Sequence, residues 1–469
     1  MQIASIDPQL LERYNRPVPR YTSYPTVPVW EPEIGEERWR EQVTQAFHRE
    51  NGINLSGGDT GILQQRSTAN GLSLYLHLPF CESLCTYCGC NKKITTNHSV
   101  EEEYMKVILA EWKLYRDQFK ERPLIRELHL GGGTPTFFSA ANLRRLMEDL
   151  LAGCDIHPDH AFSIEGHPNN TTREHLQTLA ALGFRRISYG VQDNDPEVQR
   201  IINRIQPLDN VRRATEQARA CGFTSINFDL IYGLPLQTLA SIERTMNEVI
   251  ALRPDRIAFY SYAHVPWTSR AQRLFDESHL PSAAEKLALY QHGRELLTQQ
   301  GYADIGMDHF ALPTDELYQA WQAGILHRNF MGYTTQHTGL LVGLGVSAIS
   351  DAGNAFAQNE KTLHDYNARV QAGHLPVKKG YVLTTAELAV RRYILDISCK
   401  GYTEIAAADV PALQEYCFDR LEALAADGLI TWQHPRVRLT ALGHYFLRHV
   451  CAAFDAHLTE GANTFSKAI

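Results

Sequence analysis

An α/β fold built on a parallel sheet is what this 469-residue chain predicts, and three observations carry that reading. From residue 72 to about residue 346, short apolar runs of strand period alternate with longer stretches of helical period. Repeated β–α units of that kind stack their strands in parallel. Glycine and polar residues recur where the apolar runs end, the place where such folds put their ligand sites. Near residue 383 the alternation stops and a mostly helical pattern takes over.

Residues 1–70 read as an arm. Its stretch Arg16-Pro17-Val18-Pro19-Arg20-Tyr21-Thr22-Ser23-Tyr24-Pro25-Thr26 holds three prolines, which favour extended, turn-rich backbone. Residues 51–70, rich in Gly, Ser and Asn, read as a loop before the first core strand. Strands are expected at 72–78, 127–130, 161–165, 186–190, 225–229, 256–262 and 304–307. Helices fall between them at 101–119, 140–151, 173–182, 208–221, 239–252 and 283–299. These units make a domain over 71–350. Residues 351–382, with Gly373 and Pro376, read as a connector. Residues 383–469 form the last unit, with helices at 386–397 and 410–427, strands at 429–432 and 437–440, and a helix to about 454. That order is winged-helix-like, but residues 387–455 hold seven Lys/Arg against nine Asp/Glu. A nucleic-acid face needs a basic stripe, so a cover is the better reading.

Composition narrows the class further. Formal charge is −8 and the isoelectric point about 6.2, with 44% hydrophobic and 21% charged residues, ordinary for a globular protein without a nucleic-acid footprint. No apolar run reaches the roughly 18 residues that span a bilayer. The start, M-Q-I-A-S-I-D-P-Q-L, has no basic patch before an apolar core. Nine scattered cysteines suit a reducing compartment. The expectation is a cytoplasmic protein.

The densest chemistry lies in Y-L-H-L-P-F-C-E-S-L-C-T-Y-C-G-C-N-K-K, residues 75–93. Cys81, Cys85 and Cys88 stand as C-x3-C-x2-C, with Cys90 just beyond. Close thiolates suit zinc or an iron–sulfur cluster. Zinc would take Cys90 as a fourth ligand. Three ligands on a four-iron cluster would leave one iron open for catalysis. Further on, Gly131-Gly132-Gly133-Thr134-Pro135-Thr136 follows a strand. Glycines there let a ligand approach and offer it N–H groups, although such a run is also found in plain turns. Glu165 ends the strand F-S-I-E. Arg204 carries a planar fork suited to a carboxylate. His264, His309 and His327 lack ligand spacing to one another and read as hydrogen-bonded structural histidines.

With Tyr87 before the last cysteine, the C-x3-C-x2-C loop resembles the signature of radical S-adenosylmethionine (SAM) enzymes. Its wider wording, H-L-P-F-C…C-T-Y-C-G-C-N-K, resembles the oxygen-independent coproporphyrinogen III oxidases. So do R-Y-T-S-Y-P-T in the arm, Y-A-H-V-P-W at 262–267, G-M-D-H-F at 306–310, H-R-N-F-M-G-Y-T-T-Q at 327–336 and the terminal Phe465-Ser466-Lys467-Ala468-Ile469. The likeness runs almost end to end. It implies an open (β/α)6-type radical SAM barrel under an arm and a helical cover. It implies a [4Fe–4S] cluster on Cys81, Cys85 and Cys88. Tyr75, Gly132, Glu165 and Ile349 match contacts of a first SAM, and Gln192, Arg204, Asp229 and Ala263 those of a second. Tyr87, Gly133 and Thr134 fall between the two. The implied reaction turns two propionates of coproporphyrinogen III into vinyl groups, giving protoporphyrinogen IX, by way of a 5′-deoxyadenosyl radical. An electron donor such as flavodoxin or ferredoxin is implied, with a monomeric enzyme and no nucleic-acid or membrane partner. Arg16 and Arg20 are expected to meet substrate carboxylates, and Tyr21 and Tyr24 to lie against the ring edge.

Two departures from the family wording stand out. After Glu165 the chain reads Gly166-His167-Pro168-Asn169-Asn170, where acidic–Pro–Arg is expected, and Met331 replaces a glutamine. Both fall near the expected second SAM or the substrate. Related activities on the same fold are haem-acting methyltransferases and haem-binding chaperones. The arm and the N-F-M-G-Y-T-T words favour the oxidase.

Overall fold

The computed structural model describes residues 7–31, 34–52, 70–267 and 269–458. Most of the loop expected at 51–70, and the terminal residues 465–469, lie outside the described residues. Six parallel strands line the barrel: β1 (Leu72–Leu78), β2 (Leu124–Gly132), β3 (Asp155–Gly166), β4 (Phe184–Gln192), β5 (Ser225–Tyr232) and β6 (Arg256–Ser261). Helices α1 (Val100–Phe119), α2 (Ala140–Leu151), α3 (Arg173–Ala181), α4 (Leu208–Ala220), α5 (Leu239–Leu252) and α6 (Ala283–Gln299) pack outside.

Side-chain alternation separates the two faces of each strand. In β5, Ile226, Phe228, Leu230 and Tyr232 bury themselves in the main core, while Asn227 and Asp229 line the barrel cavity. The helices complete that core. α1 contributes Met105, Ile108, Trp112, Tyr115 and Phe119 at helical spacing. Thr172, Thr238 and Ser282 each close a reciprocal cap at the starts of α3, α5 and α6, a device worth about 1 kcal/mol apiece.

Two stretches differ from the sequence-based expectation. The strand expected at 304–307 is present as Ala303–Gly306, but it is antiparallel. It reaches β6 through a second antiparallel strand, His309–Ala311. On the other side, Leu341–Leu344 runs parallel beside β1. It is followed by the antiparallel strands Ile349–Asp351, Ala355–Asn359 and Val377–Val382. The stretch 351–382, expected to be a connector, therefore extends the sheet. Its strand A-F-A-Q-N is buried throughout. Asn359 hides there because its amide donates to Glu111 (2.7 Å) and to the Gly345 carbonyl (2.9 Å). The sheet has twelve strands whose two ends do not pair, so the barrel is open as expected.

The C-terminal unit packs helices Thr385–Lys400, Phe418–Ala426 and Leu447–Ala453 on a three-stranded antiparallel sheet. The arm belongs to this core. Leu10, Tyr14, Val18, Tyr21 and Tyr24 are buried among Tyr393, Ile397, Leu421, Phe446, Val450 and Phe454. Tyr21 and Tyr24, expected at a ring edge, are thus core residues. The same arm sends Arg20 to the barrel, where it donates to the Ser261 carbonyl (3.0 Å), lies over the Tyr260 ring and stands 3.9 Å from Asp308. Arg16 stays exposed. No helix among the described residues is long and apolar enough to cross a membrane.

The Tyr21 hydroxyl donates to the Asp455 carboxylate at 2.9 Å inside this core. Tyr21→Phe keeps the ring and leaves that carboxylate short of a donor. Denaturant unfolding followed by aromatic fluorescence should register a loss of about 1–3 kcal/mol.

Candidate functional site

At the end of β1 the chain enters the cysteine loop, and backbone hydrogen bonds fix its path. Lys93 N–H donates to Pro79 O (2.8 Å), Thr95 N–H to Cys81 O (2.9 Å), Gly133 N–H to Leu78 O (2.9 Å) and Thr134 N–H to Phe80 O (2.9 Å). A Cβ at Gly133 would sit 2.6 Å from the Pro79 backbone, so no side chain fits where the β2 end crosses beneath the loop. Gly132 has φ +115° and His77 within 2.9 Å of its missing Cβ. The sequence suggested that these glycines leave N–H groups open to a ligand. Instead the Gly132 N–H donates to Glu165 Oε2 (3.1 Å) and the Gly133 N–H to Leu78. The glycines serve close approach.

The three sulfurs have different surroundings. Cys81 accepts from Thr134 Oγ1 at 3.3 Å, and burial pushes its thiol up. Buried Cys85 accepts from Arg204 Nη1 at 3.7 Å. Cys88 is held down to about 6, first by the hydrogen bond from Cys90 and then by Lys92. Among the described residues, no group of three His, Cys, Asp or Glu side chains is gathered closely enough for a single ion. A zinc centre draws its sulfur donors to about 2.3 Å from one point, whereas a cluster takes one thiolate per iron. Three cysteine sulfurs, two of them accepting from Thr134 and Arg204, suit thiolate ligands of a cluster.

Beside this loop the strand ends gather the expected ligand residues. Tyr75 on β1 stacks with His129 on β2 at 6.0 Å. His129 shares a hydrogen bond with Ser163 Oγ (2.7 Å) and faces Glu165 Oε1 at 3.5 Å. Burial pulls the Glu165 carboxyl upward, but His129 and the Gly132 N–H outweigh it and hold the group below its usual range. Asp229, on β5, accepts from Ser188 Oγ (2.9 Å) and Asn227 Nδ2 (2.8 Å). Burial and the Glu165 charge push it up to about 6, against the pull of Ser188, Asn227 and Arg204. Glu165, Asp229, Ser188, Tyr260, His309 and Met331 share one cavity of about 240 Å³ inside the barrel.

Arg204 is not a surface ion pair. Its Nη2 donates to Gly190 O at 2.6 Å, and its buried Nε has no partner. An orphaned guanidinium N–H beside a sulfur is a vacancy that an anionic ligand group can satisfy. Gln192, with φ +67°, is buried at the end of β4 close to Arg204. Tyr87 packs on Val198, Ile202, Leu234, Tyr262 and Phe275. Ile349 lies further away. Its backbone covers Gly343, the register partner of Tyr75, and its side chain packs towards Trp30, Phe356 and Leu383.

In the unexpected wording after Glu165, His167 is kept neutral, pushed down to about 3 by burial and by Arg204. Asn170 donates to Glu82 (2.9 Å), and Asn169 to Ile205 O (3.0 Å). These residues tie the loop after β3 to the cysteine loop and to the Arg204 segment. Of the three structural histidines, His264 bonds Tyr262 and Glu277, and His309 bonds Met307 O and Tyr260. His327 instead stands against the His337 ring at 4.5 Å.

Sequence reasoning missed Gln272. It is 1% exposed, donates to Tyr87 O (3.2 Å) and Ala263 O (3.1 Å), and accepts from Val265 N–H (2.6 Å). Nearby, Ser269 Oγ donates to Cys88 O (3.4 Å). Ala263 thus enters the site through its carbonyl, clamped to the residue before Cys88. A glutamine in a short turn carries no sequence signal for such a role.

Residues 75–249 match the radical SAM superfamily. Two curated relatives, both called oxygen-independent coproporphyrinogen III oxidase, come from Pseudomonas aeruginosa and Escherichia coli. The first is 38% identical over 96% of this chain and 96% of its own length; the second is 38% identical over 99% and 98%. Among solved structures, the coproporphyrinogen III oxidase from Escherichia coli, described as a radical SAM enzyme, superposes with a TM-score of 0.87. It is 37% identical and covers 97% of this chain and 100% of its own.

After anaerobic reconstitution with iron and sulfide, Ala at Cys81, Cys85 or Cys88 should each abolish bound iron, while Cys90→Ala retains it. Iron and acid-labile sulfide assays with the visible spectrum check this. An iron-free Cys90→Ala protein would make Cys90 a ligand.

Proposed function

The chain belongs to the oxygen-independent coproporphyrinogen III oxidases of the radical SAM superfamily, and from that premise we propose how its residues divide the work. The enzyme oxidatively decarboxylates two propionate side chains of coproporphyrinogen III to vinyl groups, giving protoporphyrinogen IX. A [4Fe–4S] cluster and SAM, when bound, supply the hydrogen-abstracting 5′-deoxyadenosyl radical.

In our reading Cys81, Cys85 and Cys88 hold the cluster. Thr134, Arg204 and Cys90 lower the cost of its thiolate charge by donating to the sulfurs. Tyr75, Gly132, Glu165 and Ile349 form the side of a first SAM. Glu165, kept ionised by His129 and Gly132, accepts hydrogen bonds from it. Gln192, Arg204, Asp229 and Ala263 form the side of a second, with Tyr87, Gly133 and Thr134 between. The unpartnered Nε of Arg204 supports a carboxylate there. Asp229, with its higher affinity for a proton, accepts from hydroxyl groups.

The substrate then meets the remaining wall, where Tyr260, His309 and Met331 line the cavity and Arg20 stands above Tyr260. The arm and the C-terminal unit 383–469 act as a cover, keeping water from the reacting propionate. An external protein such as flavodoxin or ferredoxin supplies electrons. The observation that carries the reading is the meeting, at one set of strand ends, of the cysteine loop, the orphaned Arg204 and the two carboxyls of the barrel cavity.

Reconstituted protein with SAM, a reductant and coproporphyrinogen III, kept anaerobic, should yield a tetrapyrrole lighter by two formic acid equivalents in mass spectrometry. An unchanged tetrapyrrole would sink the reading. Asp229→Asn, nearly isosteric, should retain the cluster and lose porphyrinogen turnover by more than tenfold, equivalent to about 1.4 kcal/mol or more. Wild-type turnover in that variant would remove the support for a second SAM at β5.

A further inference from the structure

We propose that the outer face of the cysteine loop is the docking surface for an acidic one-electron carrier protein. This rests on the function above, which requires electrons from outside the chain. In the transfer itself the carrier loses one electron, and the [4Fe–4S] cluster that Cys81, Cys85 and Cys88 would hold gains it. No bond forms or breaks.

The loop reaches solvent on its outer side. Glu82, Ser83, Gly89 and Cys90 are exposed. Two exposed isoleucines flank it, Ile205 at 68% and Ile94 at 37%. Each is bound closely to a ligand cysteine. Asn203 and Arg204, which precede Ile205, donate to Leu84 O (2.8 Å) and to the Cys85 sulfur (3.7 Å). Ile94 is the strand partner of Cys81. An apolar partner pressed on these side chains would therefore come next to the segments that hold the cysteines. Such a small apolar centre suits a transient redox encounter, which falls at the low end of interface size, below about 1,200 Å².

Charge identifies the occupant. Exposed Lys93 pairs with Phe80 across the loop strand, exposed Arg200 precedes the Asn203 clamp, and exposed Lys361 receives Asn91 Nδ2 on its carbonyl at 2.8 Å. Lysines 92, 93, 361, 378 and 379 are five of the chain's eleven. They fall in the loop and in the neighbouring sheet extension of a chain whose formal charge is −8. Carboxylates in the same area are engaged: Glu82 by Asn170 and His98, and buried Glu360 by Lys378. A local cationic rim on an acidic protein steers an acidic partner to that face and turns other faces away.

Reduced flavodoxin, an acidic one-electron carrier, is the probe. Its affinity for the reconstituted and the cluster-free chain would be measured by titration at low and high salt. Cluster reduction by flavodoxin and by dithionite would be followed by bleaching in the visible. Wild-type chain should bind flavodoxin with or without cluster, more weakly at high salt. Ile205→Glu, and the pair Lys93→Glu with Lys361→Glu, should each weaken binding at least tenfold. They should slow reduction by dilute flavodoxin equally, while dithionite reduces them at the wild-type rate. Absence of binding to the wild type, affinity unchanged by both variants, no salt effect, or slowing with dithionite as well would each overturn the proposal. A wild-type protein that dithionite reduces but that cleaves no SAM would count against the function, while the titration still decides the surface.

Discussion

Where β2 ends, the backbone of Gly133 passes so close to Pro79 and Phe80 that even one methyl group would collide, at 2.6 Å and 2.9 Å. The cysteine loop is held to the end of β2 by main chain through the carbonyls of Leu78 and Phe80, while those of Pro79 and Cys81 close the loop's own neck to Lys93 and Thr95. Side chains only finish the work. Gln272 and Asn203 then tie the loop sideways to the 263–267 and 203–205 segments. A shift at Gly133 would move the cysteines and both ligand sides together.

The mouth sets two carboxyls to different tasks. Glu165 has a histidine and a backbone N–H beside it and stays charged. Asp229 has neutral donors alone and feels the charge of Glu165, so its proton affinity rises. Arg204 brings the compensating positive charge to the sulfur side. Placing a cation at the thiolates and leaving Asp229 to hydroxyl donors separates charge neutralisation from ligand orientation.

Much of this was legible in the sequence because strand period and motif spacing are local. The β–α alternation, and the cysteine loop at the end of the first strand, sit where reading along the chain put them. The misreadings came from polar groups satisfied at long range. The strand A-F-A-Q-N looks like a linker until Glu111, which itself looks like a surface acid of α1, is seen bonding Asn359, Tyr366 and Gly345 inside the core. Tyr21 and Tyr24 looked like partners for a macrocycle, yet their partners lie more than 360 residues downstream. Gln272 gave no signal, since its three hydrogen bonds all go to backbone groups whose positions only the fold defines.

The shared core of arm and C-terminal unit has a consequence for the order of synthesis. Residues 10–24 are made ahead of the barrel, but Phe446, Val450 and Phe454, against which they pack, follow it. Once the barrel is made, its strands and cysteine loop have their partners, whereas the arm has only the Arg20 contacts to Ser261, Tyr260 and Asp308. The barrel mouth and its cysteine loop are therefore built before the core shared by the arm and the C-terminal unit can close.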